Sequence, residues 1–471
     1  MSTYWTHHST TNTMSGLLIR NVRLCPASPN DTVSDSRELY DVTCTDGAVA
    51  SICAAGEAGS YGFETVDAEG RGLLIPGLCH AHIHLDKCFL LQRTPLITGT
   101  FAEALILTAT AKAAFERSPD DILARGRRLI EQSIANGVTA MRAHVEADIT
   151  VGLMCVSAGV KLREEFMGRC VVQVAAFAQD PLFDASGTPT TNHYMIGEAA
   201  HFRGVEAVGS APYVEPTPET ARANILHLFD LAYLRHLHLD FHLDYNLDAS
   251  AEPLIWFVLD TLAERIASGR WDVNTQHLCI GHATRLTLFS DAEWARFAQT
   301  VERGNLPVTL VGLPQSDVYM MGRDVPSPPR GTLNVCKLAT AHGVRAAMAV
   351  NNIGNAFTPQ GPPDPLVLCT LGVALFQAGT KADCYRLLES VTVHASRAIF
   401  GSHGSTGQGA SSSHGPRAST SLRPRVGDRA DFVLLRDAED VQAAVCNPCY
   451  DRVTMQGGRV VCRRESKVEF V

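Results

Sequence analysis

The chain has 471 residues, with 40 Lys+Arg against 49 Asp+Glu for a formal net charge of −9; 45% of residues are hydrophobic and 19% charged. A chain this long and this apolar buries a large core, which excludes wholesale disorder. The mild acidity argues against nucleic acid as a partner, because phosphate binding needs clustered Lys and Arg.

The length suggests one large domain with a smaller one, or up to three ordinary domains. No apolar run reaches the length of a membrane span, so no membrane partner is expected. The N-terminal residues lack the basic start and apolar stretch of a secretory signal. The 14 cysteines are scattered mostly singly. They read as reduced core thiols, and the cytoplasm is the expected compartment.

In chain order, residues 1–16 read as a polar tail. Residues 17–27 and 38–56 read as short strands, β-branched between turn signals, within a first β segment over 17–72. From 73 to 400 the pattern changes. Eight short apolar runs follow, at 73–85, 137–145, 170–179, 205–214, 237–246, 278–284, 307–314 and 345–351. Stretches of helical periodicity lie between them, as at 101–116, 120–136, 217–235 and 253–268. This alternation predicts an α/β fold, a closed parallel (β/α)8 TIM barrel. An open doubly wound sheet is the alternative, and the strand count favours closure. Residues 401–424 are Ser/Gly-rich and read as a mobile loop. In the last segment, 425–471, strands are predicted at 431–435 and 453–462, with Gln456-Gly457-Gly458 as a hairpin turn. The first and last segments are expected to pair into one flanking β-sandwich.

The strongest chemical signal is the run Leu74-Ile75-Pro76-Gly77-Leu78-Cys79-His80-Ala81-His82-Ile83-His84-Leu85-Asp86. Strand alternation puts His80, His82 and His84 on one face, where two imidazoles at i and i+2 can chelate one metal ion. Barrel active sites lie at this strand end. Three histidines in five residues argue against a merely hydrogen-bonded polar core. His144, ending the second strand, reads more readily as structural than as a ligand. Gln179 and Asp180 end the third strand; the amide suits a substrate carbonyl or a turn cap equally. His242 ends the fifth strand as a third candidate ligand, and Asp244 shares its face. His282 ends the sixth as a partner for an attacking water.

Asn351, Asn352 and Asn355 cluster at the end of the eighth strand, where a carboxylate is wanted; amides are poor ligands and cannot act as bases. Phe183, Tyr319, Met320, Met321 and Phe357 lie in the loops at this end and suit a flat or apolar ligand or simple packing. Cys446-x-x-Cys449 is isolated and reads as structural or incidental, since a zinc site needs further ligands. His403 and His414 have no useful spacing.

These pieces, in this order, resemble the amidohydrolase superfamily, and more narrowly its cytosine deaminase-like branch. The resemblance runs from about residue 17 to 462. It includes Val393-His394-Ala395-Ser396-Arg397-Ala398 and the stretch Val426-Gly427-Asp428-Arg429-Ala430-Asp431-Phe432-Val433. It implies one divalent metal, zinc or iron, held by His82, His84 and His242. It implies that His282 supports the attacking hydroxide and that Gln179 binds the substrate. Asp86 matches the aspartate after the first motif. Members of that branch often form homo-oligomers.

Two positions depart from the pattern. Tyr245 stands where the branch has a proton-shuttling glutamate. Asn351 stands where it has a metal-ligating aspartate, with Asn352 in place of a frequent second acid. One positioned acid–base group contributes roughly 10²–10⁴-fold to rate, so the loss matters. Asp244 or Asp248 could substitute as base, Tyr245 could donate a proton, and Asn351 could ligate through its carbonyl oxygen. Three neutral histidines leave the metal its full charge, which favours an anionic substrate or hydroxide.

Three expectations follow. The first is a metal-dependent hydrolase of a C–N bond in a small cyclic nitrogen compound, with Asp244 or His282 as base. The second is a non-hydrolytic enzyme on the same scaffold, catalysing cyclisation, isomerisation, elimination or decarboxylation. The third is an inactive, ligand-binding relative.

Overall fold

The computed structural model describes residues 16–31, 38–59, 62–115, 118–323, 325–327, 329–401 and 419–470. The polar tail, apart from Gly16, and residues 402–418 of the Ser/Gly-rich stretch lie outside the described residues, as do His403 and His414.

The chain opens with β1 (Gly16–Leu24), β2 (Tyr40–Thr45), β3 (Ala48–Ala54), β4 (Phe63–Asp67) and β5 (Leu73–Pro76). The next strands and helices are β6 (Leu78–His84), α1 (Phe101–Lys112), α2 (Pro119–Ala135), β7 (Val138–Glu146), α3 (Met154–Glu165) and β8 (Val171–Ala178). Then come α4 (Thr191–His201), β9 (Val205–Ser210), α5 (Pro218–Arg235), β10 (His238–Leu243), α6 (Ile255–Ala267) and β11 (Leu278–His282). They are followed by α7 (Asp291–Arg303), β12 (Val308–Gly312), α8 (Pro314–Met320), α9 (Val335–His342) and β13 (Ala346–Met348). The chain ends with α10 (Pro365–Phe376), α11 (Lys381–Val391), α12 (Val393–Phe400), β14 (Phe432–Leu435), α13 (Val441–Cys446), β15 (Arg452–Gln456) and β16 (Arg459–Arg464).

Strands β6 to β13 pair in sequence order, every pair parallel. The sheet closes through a parallel bridge between Ile83 and Asn351, where His84 N donates to Asn351 O at 2.8 Å. The barrel expectation is borne out. The strands are buried along both faces, as a parallel sheet wrapped in helices requires. Small residues fill the lower barrel: Cys79, Ala81, Ala140, Cys279, Ala347 and Ala349 form one cluster with α12.

The predicted first barrel strand is two strands. At Gly77 the chain passes from β5, which pairs with β14 and β1, into β6 of the barrel. A Cβ at Gly77 would lie 2.1 Å from Thr139 Oγ1, so only glycine fits this crossing. The second sheet runs β16-β15-β14-β5-β1-β2-β3, with β4 also on β1. It joins strands from both ends of the chain in a small β domain. Strand β1 switches partners midway: residues 16–20 pair with β4 and residues 23–24 with β5. The switch is a bulge at Asn21, in the left-handed region at φ 52, tied by its N–H to Asp41 Oδ1 at 3.1 Å.

Arg452 clamps the β domain to the barrel. It makes two hydrogen bonds to the Asp364 carboxylate, at 2.9 and 2.8 Å, and a third to Asn136 O at 2.7 Å. All 14 cysteines are free thiols.

Candidate active site

The C-terminal ends of the barrel strands gather histidines from β6, β7, β10 and β11. Strict alternation along β6 fails. The pairing with β7 slips between His80 and Ile83. Below the slip, Cys79 and Ala81 face the barrel interior. His80 turns outward, 3.3 Å from Ser133 Oγ on α2, and burial pushes its imidazole down to about 3. It does not share a face with His82 and His84. Above the slip, His82 and His84 both face inward.

His82, His144 and His242 lie with Asp240 in one buried group whose ligand atoms all fall within 4.8 Å of one another. His84 meets the same group from above, its Nε2 3.0 Å from His242 Nε2. Both ring nitrogens of His82 and His144, and Nδ1 of His84 and His242, are buried and find no hydrogen-bond partner among the described residues. An orphaned buried polar atom costs on the order of 1–3 kcal/mol, and six together mark a missing ligand. Burial, reinforced by neighbouring rings, holds His82 and His242 well below the ordinary imidazole range. Burial and Lys87 do the same for His84. Neutral imidazoles are the form that binds metal. Asp240 is oriented by Arg142, 3.0 Å from its Oδ2, which leaves Oδ1 3.4 Å from His144 and 3.7 Å from His82.

Backbone strain collects at this rim. His282, Ala283, Asp244 and Asn351 all have positive φ, at 65, 50, 52 and 69. Non-glycine residues adopt this conformation only where surrounding contacts enforce it, and such positions cluster at active sites.

His282 ends β11 with its Nδ1 2.8 Å from Asp317 Oδ1. The Tyr245 ring lies against it, centroids 3.9 Å apart. Burial raises the Tyr245 phenol well above its usual range, and its hydroxyl bonds Ser316. Asn351 donates to the same Ser316 Oγ at 2.8 Å, and its own Oδ1 is buried without a partner among the described residues. Tyr245 and Asn351 thus meet at Ser316, and neither side chain is a carboxylate.

The remaining candidates separate. Asp244 does not face the histidines. Its carboxylate accepts Leu254 N at 2.8 Å and Ile255 N at 3.1 Å at the start of α6, and burial pushes it up to about 6. Asp248 bonds Ser250 on the surface. Asp86 accepts Glu146 N at 2.7 Å and ties β6 to β7; burial and the Glu146 charge raise its carboxyl. Asn352 accepts Asn355 Nδ2 at 2.7 Å inside its own loop.

Gln179 Oε1 accepts from Lys87 Nζ at 3.3 Å. Lys87 also stands 5.8 and 5.9 Å from the ring centres of Phe177 and Phe357, within the range of cation–π attraction. Lys87 and Lys112 both pair with buried Glu146, and Lys112 adds Asp148 at 2.5 Å and Asp180 at 3.6 Å. With Asp86, this wall holds more carboxylates than lysines, which weighs against the expected preference for an anionic substrate. Phe101, Tyr213, Tyr245, Met320 and Phe357 form an apolar cluster over the mouth, and Phe183 packs elsewhere, in the main core. Tyr319 and Met321 pack on the apolar cluster from outside.

Reading the sequence did not single out Asp240, Lys87, Ser316 or Asp317. Asp240 was two residues before His242 and therefore on its face. Lys87 directly follows the first motif. Asp317 lies in a helix beyond β12 and carried no motif at all.

No protein-family model matches the chain. A pterin deaminase of Rhizobium rhizogenes strain K84 is 24% identical over 436 residues, covering 90% of this chain and 88% of that protein. An N-isopropylammelide isopropyl amidohydrolase of Pseudomonas sp. strain ADP is 22% identical over 458 residues, covering 95% and 98%. The structure of a 5-methylcytosine deaminase from Klebsiella pneumoniae with 5-fluorocytosine superimposes with a TM-score of 0.78 at 20% identity, covering 96% and 99%. These neighbours bear out the resemblance to the amidohydrolase superfamily and its cytosine deaminase-like branch.

Proposed function

We propose that this chain, similar from end to end to deaminases and amidohydrolases, is a metal-dependent hydrolase of a C–N bond in a small, cyclic nitrogen compound. The observation that carries this reading is the set of buried imidazoles at the barrel mouth, six of whose ring nitrogens find no hydrogen-bond partner among the described residues. The donor set fits zinc or iron(II), which accept imidazole nitrogen together with carboxylate oxygen. His82, His84 and His242 are the ligands, and Asp240 is the carboxylate nearest to them. Such an ion acidifies a bound water to a pKa of about 7 and polarises the carbon under attack.

The chain's own residues do the rest. Gln179, whose carbonyl oxygen accepts from Lys87, presents its amide N–H, unpartnered among the described residues, to the ring's polar edge, and Lys87 its ammonium. The Phe177 and Phe357 rings receive a flat ring beside them. His282 is the proton acceptor, because Asp244 is committed to α6. Tyr245 and Asn351, linked through Ser316, replace charge with fixed dipoles. The apolar cluster over the mouth keeps bulk water from the reacting carbon. The Lys87 and Lys112 network, held by Glu146, carries no excess positive charge, so an uncharged ring suits this wall better than an anion.

The test is metal content by elemental mass spectrometry, followed by amine or ammonia release from pterin, N-isopropylammelide and 5-methylcytosine. About one zinc or iron per chain and turnover of one such ring are expected. A protein that takes up no metal even after reconstitution would overturn the reading.

A further inference from the structure

The carboxylate missing from position 245 has a counterpart on another strand. Asp317 is fully buried, on α8 just beyond the end of β12. Its Oδ1 lies 2.8 Å from His282 Nδ1. Its Oδ2 accepts from Leu313 N at 3.0 Å and from Thr332 Oγ1 at 2.8 Å. The backbone N–H and the hydroxyl both donate to Oδ2, so that oxygen is fixed as an acceptor. The carboxylate, once ionised, can only accept, so the hydrogen between Oδ1 and Nδ1 belongs to the imidazole. A neutral His282 that donates from Nδ1 has its lone pair on Nε2, on the far side of the ring.

We propose that Asp317 is the positioning residue of the reaction: it fixes the tautomer of His282, so that Nε2 accepts the proton that a carboxylate at position 245 would take. The proposal rests on the hydrolase reading for the reaction but not for the tautomer. Tyr245 has a complementary part. Its ring packs on the imidazole and holds the ring plane, while its hydroxyl is drawn off to Ser316, the residue before Asp317. The left-handed backbone at His282 and Ala283 turns the side chain toward this partner rather than along the strand. Charge has thus moved from the end of β10 to α8, just beyond β12, with His282 as the link.

The proton balance closes without a further reagent. As water adds to the ring carbon, the C–O bond forms, the π pair of the C=N bond moves to the ring nitrogen, and one water proton passes to His282 Nε2. The imidazolium, neutralised by Asp317 through Nδ1, returns that proton to the departing nitrogen as the C–N bond breaks. The amine or ammonia leaves as the ring carbonyl forms, and the second water proton ends on the ring nitrogen that took the π pair. Nothing is oxidised or reduced.

Imidazole 15N NMR of the full-length, zinc-loaded protein labelled with [15N]histidine reads the tautomer directly, with His282→Gln identifying the signal. The native protein is expected to show His282 protonated at Nδ1 and bare at Nε2. In Asp317→Asn the amide oxygen keeps Leu313 and Thr332, and the NH2 group faces Nδ1. The tautomer should then reverse. Zinc content and melting temperature should stay as in the native protein, and kcat on the best of the three rings should fall roughly 10²–10⁴-fold with KM within a few-fold. A native His282 protonated at Nε2, or a tautomer unmoved by Asp317→Asn, overturns the proposal. The native spectrum decides even if the variant does not fold. A reversed tautomer in a protein that hydrolyses none of the three rings upholds the Asp317–His282 link and counts only against the hydrolase reading.

Discussion

The Nε2 atoms of His84 and His242 face each other at 3.0 Å. Two neutral imidazoles cannot present lone pairs to one another at that distance. Either one neutral ring carries its hydrogen on Nε2 and donates it to the other, or a cation lies between them. Tetrahedral zinc with bonds of about 2.0–2.1 Å sets its nitrogen ligands about 3.3 Å apart. The pair is therefore close to the spacing that an ion requires.

His84→Ala should reduce metal from about one ion per chain to below about a tenth, measured by elemental mass spectrometry after dialysis. His144→Ala should keep its metal at saturation, with affinity lowered roughly 10–100-fold, as for a group that orients the ligands. The four-residue group His82, His144, Asp240 and His242 offers the competing arrangement. We prefer the set with His84, because its Nε2 lies 3.0 Å from His242 Nε2, whereas Asp240 Oδ1 stands 3.4 Å from His144 and 3.7 Å from His82. Loss of metal in His144→Ala and retention in His84→Ala would reverse that choice.

Gly281 guards His82 from behind. A Cβ there would lie 2.9 Å from His82 Cε1 and Nδ1. Gly281→Ala must displace the imidazole, at a cost of about 1–3 kcal/mol for overpacking. We expect at least a tenfold loss of metal affinity in a chelator competition, with the far-ultraviolet circular dichroism spectrum unchanged.

Asp364 joins three parts of the fold. It bonds Arg452 twice and caps α10 through Leu366 N at 3.0 Å. Asp364→Ala leaves the Arg452 guanidinium buried without its counter-charge, which costs about 3–5 kcal/mol. Urea unfolding should show the loss, and the Asp364→Ala/Arg452→Met double variant should recover most of it.

Glu389, on α11, is pushed up to about 7 by burial, against the pull of Arg345 and Arg386. Its folded pKa is therefore above the unfolded value of about 4.3. The stabilising contribution is complete below that unfolded value and is lost as pH rises through 7. Glu389→Gln should raise stability at pH 8 by about 2 kcal/mol relative to the native chain and leave it nearly unchanged at pH 4. Thermal melts across that range would expose the error if the two curves ran parallel.

The barrel was legible because each strand is a short apolar run and each helix has its own period. The break at Gly77 was not, since Leu73–Pro76 and Leu78–His84 form one continuous apolar stretch in the sequence. His82, His84 and His242 announced themselves by type and spacing. His80 misled, because alternation holds only where pairing is regular, and the slip between His80 and Ile83 reverses which side chains face inward. Asp244 misled too. It sits two residues after His242, but its left-handed backbone hands the carboxylate to the first turn of α6.

The amino-acid sequence alone determined the barrel, the histidine cluster and the absence of the two usual carboxylates, since these depend on residue type and local period. Only the tertiary structure decided which carboxylate stands behind His282. Asp317 comes to His282 through the folding of distant strands, and a contact across 35 residues leaves no periodic trace in the chain.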